Sequence, residues 1–183
     1  MAQVDTMAYI LEVVRSRLRS ENKWKDGQCR LSFGTTPITN GVPWFVGIEE
    51  LSRENLAAES DMFNRMQYGI QIGIWRNADI VPNDREGVLL TDEDTYLRDR
   101  KMLKDLEDCV LPVVQHYDTV QCINDLLAKA ARPDCYDPIM SQMMYTGSSA
   151  TEIITSIPSI KVTNGRWARR ILQFRGANQV VTR

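Results

Sequence analysis

The stretch Met66–Arg76 constrains the fold of this chain more than any other. Tyr68, Ile70, Ile72 and Ile74 alternate there with Gln67, Gly69, Gln71 and Gly73. Alternation of this kind has the period of a strand, because successive side chains point to opposite faces. One face of that strand is apolar and belongs to a core. The other carries two glycines, which leave nothing to pack and often mark the close approach of another backbone. Two readings of Gly69 and Gly73 stay open: a helix of the same chain crossing closely over them, or a neighbouring subunit covering them.

The rest of the chain supplies layers for such a strand. Met7, Ile10, Leu11, Val14 and Leu18 share one face of an N-terminal helix, with Asp5 or Thr6 as its cap. That helix should end before the Asp26-Gly27 turn pair. Trp44, Val46 and Ile48 alternate as a second strand over 43–50. The intervening 51–65 is too long for a tight hairpin, so a projecting loop or short helix is expected; 77–91 reads as another projecting loop. Asp92-Glu93-Asp94 opens a helix with charges that complement its dipole, and Leu103, Leu106, Val110, Val113 and Val114 form its stripe. Pro112 should kink or end it. A further helix runs from Asp118 to a stop at Arg132-Pro133, with Ile123, Leu126, Leu127 and Ala130 inward. Met140, Met143 and Met144 suggest a short helix or an adaptable contact surface. Thr151–Ile157 and Arg166–Arg175 are closing strands, joined through an Asn164-Gly165 turn. The order α-β-β-α-α-β-β makes this an α+β protein, a mostly antiparallel sheet flanked by helices. A length of 183 residues suits one domain over 1–183.

Composition narrows the class. A 43% apolar and 25% charged chain can fill a core, which excludes full disorder, collagen and a coiled-coil rod. No apolar run reaches the ~18 residues of a membrane span, and Met1–Thr6 lacks the basic start of a secretory leader. The four cysteines (Cys29, Cys109, Cys122 and Cys135) are too sparse for a disulfide scaffold and are expected as free, mostly buried thiols. With one histidine, His116, and no C-x2-C pair, no metal site is expected.

Chemistry finds little support. Glu49 and Glu50 are adjacent on a strand and point to opposite faces. His116 stands beside no nucleophile motif, and Cys29 lies in Gly27-Gln28-Cys29-Arg30 without a family signature. No phosphate-binding glycine pattern opens a helix. The residues give no catalytic group and imply no cofactor.

Charge is more informative. Lys161–Arg183 carries six basic residues and no acidic one, whereas Asp79–Asp108 carries ten acidic and five basic. Arg166, Arg169, Arg170 and Arg175 with Trp167 and Phe174 interleaved could hold single-stranded nucleic acid, which stacks on aromatic rings. Segregated charge on a near-neutral chain suits self-association instead, with the basic strand of one copy against the acidic segment of the next.

The N-terminal helix ending in Arg15–Arg19, the strand Pro43–Ile48, the strand Tyr68–Trp75, the helix through Leu103–Val114 and the closing Gly165–Phe174 together resemble phage tail-terminator (tail-completion) proteins. The resemblance covers most of the chain by topology. It implies a non-enzymatic virion protein made in the host cytoplasm. Such a subunit would form a ring, by family analogy of six copies, with DNA passing through the lumen. The ring would cap the tail tube protein, stop its polymerisation and present a docking surface to the head-closure or connector protein. Under that reading Trp44, Trp75 and Met143 are candidate apolar anchors, and Gly69, Gly73, Arg166, Trp167, Arg169, Arg170 and Arg175 are candidate contact residues. Another neck component, a small enzyme and a nucleic-acid binder remain as alternatives.

Overall fold

The computed structural model describes residues 5–31, 42–56, 63–78, 92–130, 139–140, 142–154 and 166–181. In chain order the elements are α1 (Thr6–Asn22), β1 (Cys29–Leu31), β2 (Trp44–Leu56), β3 (Phe63–Asn77), α2 (Asp92–Gln115) and α3 (Tyr117–Ala130). Four strands follow: β4 (Ile139–Met140), β5 (Met144–Ser148), β6 (Glu152–Ile154) and β7 (Trp167–Val181). They form one sheet in the order β1-β2-β3-β7, with β4, β5 and β6 lined up along the outer side of β7. Among the described residues every pairing is antiparallel except β1 with β2. The protein is thus α+β, as its sequence patterns indicate.

The isoleucine face of β3 is the core face. Ile70, Ile72 and Ile74 stand beside Val46 and Ile48 of β2 and Leu172 of β7, all fully buried. All three described helices press onto it, through Ile10, Val14 and Leu18 of α1, Leu103, Val110 and Val114 of α2, and Ile123 and Leu127 of α3. Burying side chains of this size stabilises a fold by ~1.5–3 kcal/mol each before the ordering entropy is subtracted.

Local chemistry sets the helix ends. Asp5 caps α1, its side chain accepting from the Ala8 amide at 3.4 Å. Lys23 closes it in the left-handed conformation (φ 56°), which lets the Trp24 amide reach the Arg19 carbonyl at 3.0 Å. Arg19 then ties the helix to β1, donating to the Cys29 carbonyl at 2.6 and 3.1 Å. Helix α2 passes through Pro112 rather than ending there. Pro112 and Asp108, whose carbonyl loses its donor, both lie on the exposed side, where water can replace the bond. His116 separates α2 from α3 and caps the latter, its Nδ1 accepting from the Asp118 amide at 3.2 Å.

Several expectations are corrected. Residues 51–65 are mostly strand, since β2 runs to Leu56 and β3 starts at Phe63. A bulge between Glu50 and Ser52 inserts Leu51 and breaks the alternation, which disguises the second half of β2. Of the loop expected over 77–91, Asn77 belongs to β3, and 79–91 lie outside the described residues. The methionine-rich stretch forms β4 and β5 instead of a helix, and β1 is an addition to the expected order. The helix stop at Arg132-Pro133, the Asn164-Gly165 turn and Cys135 also lie outside the described residues.

Cys29, Cys109 and Cys122 are free thiols. Burial pushes the Cys29 thiol up to about 11, against the opposing pull of Arg19 and Arg15. The unfolded chain, titrating near 9, gives up this proton first, so rising pH favours unfolding. Stability should therefore fall by ~2–3 kcal/mol between pH 9 and 11 through this group. Denaturant midpoints across that window should drop more steeply for the parent than for Cys29→Ala; parallel profiles would refute the assignment.

Candidate functional site

The sheet face turned away from the helices is organised in cross-strand rows. Phe45, Trp75 and Arg169 lie side by side on β2, β3 and β7, and Glu152 of β6 extends the row. Arg30, Gly47, Gly73 and Ile171 form the next, followed by Glu49, Gln71 and Gln173, and then by Ser52, Gly69, Arg175 and Met144. Strand pleat alone places these residues together. Each is out of phase with its core-facing neighbours.

The first row is a ladder of rings and guanidinium groups. Phe45 and Trp75 stack with centroids 5.5 Å apart and planes 9° from parallel. Trp167 meets Phe45 edge-on at 5.7 Å. Arg169 lies over the Trp75 ring at 5.1 Å and also pairs with Glu152, while Arg30 lies over Phe45 at 5.4 Å. Burial pulls the Arg30 guanidinium below its ordinary value. Ring stacking contributes about 0.5–1.5 kcal/mol per pair beyond area burial, and a cation over a ring about 0.5–2.

Further along, the face becomes more polar, with Gly47, Gly69 and Gly73 buried and Glu49 and Gln71 half-buried. The Gln71 amide donates to Glu49 at 3.4 Å. Gln173 and Met144 are exposed, and Ile171 and Arg175 are half-buried. Two of its glycines were candidates, and the structure resolves one of them. A Cβ on Gly69 would come 2.6 Å from Ser52 Oγ and 3.3 Å from Ser52 N. What crowds Gly69 is therefore the bulge of the adjacent strand, while the helices lie on the opposite face. Gly69→Val should cost roughly 1–3 kcal/mol, because backbone beside it must move. A variant with the parent's unfolding midpoint would show that the bulge yields freely.

The helix-side face carries the buried ion pair. Arg76 of β3, fully buried, pairs with the equally buried Asp99 of α2, which Arg98 also approaches at 3.2 Å. Burial pulls the Arg76 guanidinium below its ordinary value, with Asp99 opposing and Arg98 reinforcing the effect. One turn pair further along the helix, Arg170 of β7 reaches Glu107 at 2.6 Å and Thr151 Oγ1 at 2.9 Å.

These contacts relocate several residues singled out from sequence. Arg170 and Arg169 find their acidic partners, Glu107 and Glu152, within the same chain. The basic strand and acidic segment do meet, but the charge asymmetry no longer argues for a contact between copies at these arginines. Trp75 and Trp167 are interior to the aromatic cluster, and Met143 is buried beneath Gly176. None of the three presents an anchor at the surface. Trp44 is half-buried on the helix side, edge-on to Trp24 at 5.1 Å. Arg166 is exposed, with its carbonyl accepting from the Ala78 amide at 2.7 Å. Trp167 and Phe174, 1% and 0% exposed, offer no ring for a base to stack on. Of the candidate set, Gly69, Gly73 and Arg175 lie on the same sheet face as Trp75, Trp167 and Arg169; both glycines are buried and Arg175 is half-buried. Sequence reading missed Phe45, Arg30 and Glu152, whose grouping depends on strand register.

Among the described residues, no group of three or more His, Cys, Asp or Glu is placed to hold a metal, and no helix is long and apolar enough to cross a membrane. The chain matches no protein-family model and no curated protein.

Proposed function

We propose that the chain is a structural assembly subunit, a tail-terminator-like virion protein that closes into a ring through the edges of its sheet and the face opposite the described helices. In this reading the ring, of about six copies by analogy with the family it resembles, caps a tail tube, stops its polymerisation and presents a docking surface to a head connector. The observation that supports it is the one-sided sheet. The described helices take the isoleucine face, while the other face carries the aromatic ladder and offers Ile171, Met144, Gln173 and Arg175. Apolar side chains set among polar ones are what a specific protein contact uses. A heterologous contact whose rotation closes makes such a ring.

The test is the oligomer mass of the full chain beside a Gln173→Arg, Met144→Arg double variant. Both side chains are exposed, so the substitutions leave the core intact.

A further inference from the structure

We draw no further inference here: the strongest candidate, the rows around Gly73, Gln71, Gln173 and Arg175 on the sheet face opposite the described helices, belongs to the assembly surface already proposed, and nothing in the structure shows a ligand there.

Discussion

Replacing Asp99 by alanine should destabilise the fold by about 3–5 kcal/mol, the range seen when one partner of a buried ion pair is removed. Asp99 and Arg76 are 0% and 2% exposed, so neither recovers water when the other is lost. With Asp99 gone, Arg76 loses the carboxylate that faces it from α2, and the repulsion from Arg98, already present, is no longer offset by Asp99. Removing both charges is a different experiment. An Arg76→Met, Asp99→Leu pair should recover most of the loss, because apolar groups of similar size often replace a buried pair at no net cost. Urea unfolding of the parent, the single and the double variant reads this directly. A single variant within 1 kcal/mol of the parent, against the ~3–5 expected, would show that water reaches the pair.

Trp75→Ala should cost a similar ~3–5 kcal/mol, as expected for emptying a large buried aromatic site. The ring is 2% exposed, stacked on Phe45 and covered by Arg169. Its loss takes the ring from beneath Arg169, which keeps its pairing with Glu152, and removes the ladder's central rung. The effect should appear in the unfolding of dilute protein and be independent of concentration. If instead the unfolding midpoint held at low concentration and only association suffered, Trp75 would be a contact residue between copies.

Much of this fold is legible in local pattern. The alternation from Tyr68 to Ile74 marks β3 and its buried face, and the apolar stripes mark α1, α2 and α3. Where local pattern fails, the cause is specific. Leu51 breaks the period of β2, so its outer half resembles a loop. Strands β1 and β6 have three residues each, too few to display a period. The charge asymmetry was visible, but its partners were not, because Arg170 and Glu107 lie 63 residues apart. Attention to the core-facing phase of β2 favoured Trp44, whereas Phe45, one residue on, occupies the ladder. Only the register of β2 against β3 and β7 sets Phe45, Trp75 and Arg169 in one row.

With Arg169 and Arg170 paired to Glu152 and Glu107 inside the chain, the proposed contact between copies falls on other residues of the sheet. Reversing Arg169 and Arg170 would now attack the monomer, since Arg170 holds Glu107 at the sheet–helix boundary. The exposed positions of the face opposite the described helices provide the cleaner probe. The measurement that bears most directly on the account is native mass spectrometry of the full chain and of its Gln173→Arg, Met144→Arg variant. The parent should appear as a closed oligomer of several 21.0 kDa copies, and the variant as folded monomer. A parent that stays monomeric, or a variant that assembles as the parent does, would contradict the assignment of this face to ring assembly.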